Sequence, residues 1–385
     1  MQVICLSQNI ANYRKKRKIT QEELAGVMGV TKASVSKWET GITMPDVQLL
    51  PMLASYFGVT LDELMGYKPQ LSREQISATY HRLAEDFATK DFEEVMEECQ
   101  ALIKEYYSCY PFLEQMCILL INHCPLAAKP ERAGEIRERI LQICSHVMEH
   151  CQDIHICENM TNIKALVYLQ QGQTDQIIED LEGTLDVNQF DDRGTMLTLA
   201  YMAQGKLEMA DKSAQIGMYQ NLSGLLSHGL HFMMVHSHEY EKVMETVHRL
   251  DSVIEAFAFE NMNANTVAVY QYQVAVLMAD RLQKNAPVQT EEEREALEEQ
   301  IYYRLEAYCS AITKLFQGGI RLRGDDFLDR LDDWFEGLAI GNCCVRSEKL
   351  ILESALEGFA HPAFAVLRNQ DRMQELVEKV KKIKY

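Results

Sequence analysis

An all-α chain in two unequal parts is predicted: a compact five-helix domain at residues 1–68, and a long array of helical repeats at residues 69–385. Three observations predict it. Apolar residues recur three and four apart along nearly the whole length, and no stretch alternates with the period of two that a half-buried strand needs. Proline occurs only 8 times in 385 residues, so long helices are easily accommodated. The string from Ala165 through Tyr168 to Gly172 returns 33 residues later as Thr198 through Tyr201 to Gly205, a mark of repeated units. A chain this long also exceeds the size at which one hydrophobic core stops growing.

The first helix carries Ile10 and Tyr13 and ends in the basic run Arg14-Lys15-Lys16-Arg17-Lys18, where the helix dipole favours cations. Thr20-Gln21-Glu22-Glu23 is a capping box that opens a second helix ending before Gly29. Thr31 is a good N-cap for a third helix, Lys32 to Glu39, which stops at Thr40-Gly41. A fourth is expected from about Val47 to Phe57, closed by Gly58, and a short fifth after Thr60. Leu24, Ala25, Met28, Val30, Val35, Trp38, Leu50, Leu53, Ala54, Phe57, Val59 and Leu64 fall at helical spacing and supply a core. Lys32, Ala33, Ser34, Ser36 and Lys37 are thereby left pointing outward.

The stretch ITQEELAGVMGVTKASVSKWETGITMPDVQLLPMLASYFGVTLDELMG resembles the Cro and phage-repressor (XRE-type) helix-turn-helix family, which implies a lambda-repressor-like DNA-binding domain. The resemblance implies that the recognition helix presents Lys32, Ala33 and Lys37 to base edges, with Thr31, Ser34 and Ser36 beside them. It places Gln21 and Thr40 on phosphates, and Arg14 with Glu39 in a structural ion pair. Ala33 departs from the Gln or Arg common in relatives and offers only apolar contact, for instance to a thymine methyl. Charge partitions accordingly. Residues 1–70 carry 8 Lys and Arg against 6 Asp and Glu, whereas the remainder carries 30 against 51, and its field would repel a duplex.

Tyr67-Lys68-Pro69-Gln70-Leu71-Ser72 reads as a polar joint, after which a helix begins at Ser72. Besides the displacement of 33, Glu158-Asn159-Met160 returns as Glu260-Asn261-Met262, and Tyr168 as Tyr270, both displaced by 102. A period near 34, with Tyr followed four residues on by Gly, is similar to tetratricopeptide repeats and implies a tetratricopeptide-like α-solenoid. Weaker matches fall at Tyr80–Tyr106, Phe112–Met148 and Leu225–Phe257. The segment His361-Pro362-Ala363-Phe364 resembles the element that closes such arrays before a polar last helix.

The eleven cysteines are scattered without framework spacing, no apolar run is long enough to span a bilayer, and the N-terminal basic cluster follows a short mixed segment; a cytoplasmic protein is expected. Cys144, His146, His150, Cys151, His155 and Cys157 cluster, but Asp153 breaks the helix through their middle and no Cys-x-x-Cys element is present, so no metal is assigned. His228, His231, His236 and His238, and the pair Cys343-Cys344, read as packing or solvated residues. No phosphate-cradling glycine loop, nucleophile elbow or zinc-protease signature occurs, so neither an enzyme nor a cofactor is expected.

If the first helix of each repeat lines a concave side, Asn159, Asn162, Asp192, Thr195 and Asn261 face a groove, where asparagine amides clamp the backbone of an extended peptide. The two-part architecture resembles peptide-sensing regulators of Gram-positive bacteria, the Rgg and PlcR type. It implies a regulator of transcription controlled by an effector, a peptide among the candidates. One such domain buries too little to discriminate sites alone, so a homodimer on double-stranded DNA is expected. The alternative is a protein-binding scaffold with the N-terminal domain as a docking module.

Overall fold

The computed structural model describes residues 5–67, 70–181, 193–283, 290–317, 320–342 and 344–384; every regular element among them is a helix. Lys68 and Pro69 at the expected domain boundary, with Asp192 and Cys343, lie outside the described residues. No helix among the described residues is long and apolar enough to cross a membrane.

The N-terminal domain comprises α1 (Leu6–Lys16), α2 (Gln21–Met28), α3 (Lys32–Glu39), α4 (Leu49–Phe57) and α5 (Leu61–Met65). Local chemistry sets these limits. The Thr20 hydroxyl accepts the Glu23 N–H at 3.2 Å, and the Glu23 carboxylate accepts the Thr20 N–H at 2.7 Å. Thr60 and Glu63 repeat this reciprocal cap at 3.1 and 2.8 Å. Helix α1 starts before Ile10 because Leu6 joins the core one turn earlier. Helix α4 starts at Leu49 rather than Val47: the Asp46 carboxylate accepts the Gln48 N–H at 2.9 Å, which holds a turn there and leaves Val47 exposed. The core is built on Ile10, Leu24, Val35, Leu53 and Leu64, with Val30, Leu50 and Val59 packed at its margin.

Beyond it, α6 (Arg73–Thr89), α7 (Phe92–Glu105), α8 (Tyr110–His123), α9 (Pro130–His150), α10 (Ile154–Gln171) and α11 (Thr174–Leu181) stack as pairs. Each first helix lies on the next, α6 on α8 and α8 on α10, and their shared core contains Tyr80, Phe112, Ile140 and Met160. A second, larger core belongs to α13 (Leu207–Val235), α14 (Tyr240–Ala256), α15 (Phe259–Met262), α16 (Ala264–Gln283), α17 (Glu291–Phe316), α19 (Glu348–Gly358) and α20 (Asp371–Lys381). Helix α12 (Arg193–Ala203) packs on α13.

The internal repeat has a structural counterpart in its helix stops. Gly172 closes α10 at φ 71°, and the Gln173 N–H bonds the Tyr168 carbonyl at 2.9 Å. Gly205, following α12, has φ 69°, and the Lys206 N–H bonds the Tyr201 carbonyl at 2.9 Å. Only glycine takes this left-handed turn without a Cβ penalty, which is why the string ends in glycine twice. The displacement by 102 is less faithful. Glu158 to Met160 lie within continuous α10, whereas Glu260 to Met262 form the short α15, bounded by Ala258 at φ 45° and by Asn263. Leu225 lies inside α13 rather than at a repeat start.

Residues 320–342 and 344–347, irregular apart from α18 (Asp332–Glu336), bind the two cores together. Arg73 of α6 donates to the Leu338 carbonyl at 2.7 Å and to that of Glu336, and the Tyr80 hydroxyl donates to the Val345 carbonyl at 3.0 Å. At the other end the Gln215 amide of α13 donates to Asp329 at 3.0 Å, and its oxygen accepts the Arg330 N–H at 2.8 Å. Nothing in the local periodicity announces these links, which span more than a hundred residues of chain.

Candidate nucleic-acid interface

Helix α3 is fixed from its inner face. Val35 is fully buried and Trp38 is 5% exposed, three residues apart on one side. Thr31 caps the N-terminus by accepting the Ser34 N–H at 3.2 Å, with the two hydroxyls 2.9 Å apart. The opposite side presents Lys32, Ala33, Lys37 and Thr40 exposed, with Ser34 and Ser36 half-buried beside them. Thr40 donates its hydroxyl to the Ser36 carbonyl at 2.9 Å, ending the helix.

The C-terminus of α3 is tied to α1. Arg14 Nε lies 2.5 Å from Glu39 Oε1 and Nη2 lies 3.0 Å from Oε2, while Nη1 donates to the Ile19 carbonyl at 2.7 Å. Gln21 Nε2 donates to Glu39 Oε2 at 2.9 Å, which engages one of its two amide protons. Burial alone would push the Glu39 carboxyl up; the bonds from Arg14 and Gln21 and the charge of Lys15 outweigh it and hold the carboxyl below its ordinary value.

Cations surround this helix. Lys32 Nζ lies 3.7 Å from Glu22 Oε2, but both side chains are well exposed, so the pair yields readily to another anion. Lys15, Lys16, Arg17 and Lys18 are exposed at the end of α1, with Arg17 over the Tyr56 ring at 4.9 Å. Sequence assigns this run to the helix dipole alone. In the fold the charge of Lys15 also lowers the Glu39 carboxyl at the C-terminus of α3.

The residues expected to line a groove are not gathered into one cleft. Asn159 donates to the Glu114 carboxylate of α8 at 2.7 Å, although burial still pushes that carboxyl up. Asn162 is exposed on α10, and Asn261 accepts from Lys314 of α17 at 2.5 Å. Thr195 lines a separate cleft of about 660 Å³ between α12 and α13, and Asp192 lies outside the described residues. In the cysteine and histidine cluster, Cys144 faces the core, His146 stacks on Tyr107 at 4.0 Å, and Asp153 caps α10. His236 bonds Glu239 at 2.6 Å in the second histidine group.

Residues 10–64 match the helix-turn-helix family. Over that stretch the chain is similar to proteins named as transcriptional regulators. It is 34% identical over 59 residues to the HTH-type transcriptional activator BcrR of Enterococcus faecalis, a stretch covering 15% of this chain and 29% of that protein. It is 33% identical over 61 residues to the HTH-type transcriptional regulator AnsR of Bacillus subtilis, covering 16% of this chain and 53% of that one. The chain thus spans about half of AnsR and less of BcrR. The apo form of the competence regulator ComR from Streptococcus vestibularis aligns over 82% of this chain and 98% of its own at 12% identity. The TM-score of that alignment is 0.23.

Proposed function

We propose that this chain is a sequence-specific, DNA-binding regulator of transcription that acts as a homodimer, with the helical region sensing an effector, a peptide among the candidates. The observation that carries the reading is α3 itself: a short helix locked from behind by Val35, Trp38 and the Arg14–Glu39 pair, with Lys32, Ala33, Lys37 and Thr40 on its free face. Apolar contacts and cationic or hydroxyl donors of this size suit the edges of bases in a major groove, and Gln21 and Thr40 suit its phosphates. Two copies on a pseudo-palindrome would place their α3 helices one helical turn apart, about 34 Å. The acidic helical region is held off the duplex by its own charge. The domain division near residue 68 belongs to this reading, as do the cytoplasmic location and the absence of enzymatic chemistry.

The test is selection from sheared genomic DNA by the full-length protein at about 150 mM salt, where non-specific binding is weak. Enrichment of a shared, two-fold-related motif is expected. Recovery of fragments without any common motif would overturn the proposal and favour the scaffold alternative.

A further inference from the structure

A cleft of about 370 Å³ opens between α16, α17, α19 and residues 344–346, far in sequence from the DNA-facing helix. Its walls are largely apolar, formed by Ala268, Val269, Ile312 and Ile351 together with the rings of Tyr272 and Tyr308. Both phenol hydroxyls are already engaged, Tyr272 donating to the Gly358 carbonyl at 3.1 Å and Tyr308 to that of Ala355 at 3.2 Å. The rings therefore offer faces to an occupant and no free proton.

The one cation in this lining is Arg346. Its Nη1 lies 3.3 Å from the Ser354 hydroxyl, its Nε is buried without a partner, and no carboxylate among the described residues pairs with it. A guanidinium carries five N–H donors in a fork that matches a carboxylate, and leaving it partly desolvated without a counter-charge is unfavourable. At the rim, the exposed Asn265 amide makes no side-chain hydrogen bond among the described residues. The volume lies near the lower end of the roughly 300–1,000 Å³ usual for ligand sites, which suits a small molecule rather than a length of peptide.

We infer that this cleft binds a small monocarboxylate with an apolar body, the carboxylate on Arg346 and the body between Tyr272, Tyr308 and the aliphatic wall. As the one cation in this lining, Arg346 suits a single negative charge better than a phosphate or dicarboxylate. The site is also mechanically connected. Val345 is held by Tyr80, and Lys349 donates to the Ala88 carbonyl at 3.1 Å, so the wall carrying Arg346 is fastened to α6, the first helix after the DNA-binding domain. An effect of the ligand on DNA affinity rests on the proposed function above; the binding itself does not.

The test is calorimetric titration of the full-length protein with phenylacetate and octanoate, each against its neutral amide, up to about 10 mM, a range that covers millimolar dissociation constants. Saturable binding of at least one acid, at least about tenfold tighter than its amide, is expected. Arg346→Gln should abolish the preference for acid over amide with the thermal midpoint unchanged. Val269→Trp, filling the cleft from an exposed position, should weaken acid and amide together. The inference is overturned by absence of saturable binding, by equal affinity for acid and amide, or by acid binding that survives both substitutions.

Discussion

Replacing Glu39 by glutamine keeps the side chain's length and removes the charge that holds α1 against α3. Arg14 then retains its bond to the Ile19 carbonyl at 2.7 Å and exchanges the two charge-assisted bonds to the carboxylate, at 2.5 and 3.0 Å, for at most one to a neutral amide oxygen. The setting is largely dry, with the Arg14 side chain 13% and that of Glu39 8% exposed. Hydrogen bonds to charged groups contribute about 1.5–3 kcal/mol, and breaking a buried pair costs about 3–5 kcal/mol. Retention of the Ile19 bond places the loss near the lower figure, about 2–3 kcal/mol. A domain of this size is stable by about 3–9 kcal/mol, so its unfolding midpoint should fall by roughly 8–24 °C. Trp38 lies in this core and is one of only two tryptophans, so in a Trp334→Phe background its fluorescence reports the domain within the full chain. A double-mutant cycle with Arg14→Gln should give a coupling of about 1.5–2.5 kcal/mol at neutral pH. Because the folded-state value of Glu39 is depressed, the coupling is complete above its unfolded value near 4.3 and disappears as pH falls through the lower folded value. Coupling below about 0.5 kcal/mol at pH 7 would refute the claim that this pair fixes α3.

Lys37→Ala should weaken binding to a selected site by about 1–3 kcal/mol, read by anisotropy, while moving the Trp38 transition by less than about 0.5 kcal/mol. Gly66→Ala should destabilise the N-terminal domain by about 1–2 kcal/mol in urea titration, because the residue has φ +70° and a Cβ would sit 3.0 Å from that of Cys5. Gly26→Ala, in the interior of α2 with nothing within 4 Å, should instead stabilise the same transition by up to about 1 kcal/mol. His123, fully buried and stacked on Phe87 at 4.6 Å, has its imidazole pushed down to about 4 by burial. The unfolded chain takes up this proton first, so the helical region should lose up to about 3 kcal/mol between pH 6.5 and 4, and His123→Phe should flatten that slope in calorimetric melts.

What could be read in advance follows the range of the forces involved. The limits of α3, the Thr20–Glu23 cap and the Val35–Trp38 inner face depend on residues within a few positions, and sequence exposes them. The stop at Gly172 and its copy at Gly205 were legible for the same reason, since a left-handed turn demands glycine locally. The groove was not. Asn159 and Asn261 occupy equivalent strings, but one answers to Glu114 on α8 and the other to Lys314 on α17, partners set by packing over tens of residues. The links from Arg73 and Tyr80 to residues 336–345 span some 265 positions and leave no periodic trace. No sequence pattern singles out Arg346, and only the fold buries its Nε and sets the residue in the lining of an apolar cleft.

The most direct test is the ratio of affinities of the full-length protein for a selected duplex and for the same duplex scrambled, at one salt concentration, repeated with Lys32→Ala/Lys37→Ala. A preference of about 10³-fold or more, collapsing in the variant while Trp38 fluorescence reports an intact core, is what a reading helix on a buried scaffold predicts. Equal affinity for the two duplexes, or a preference untouched by loss of both lysines, would contradict it.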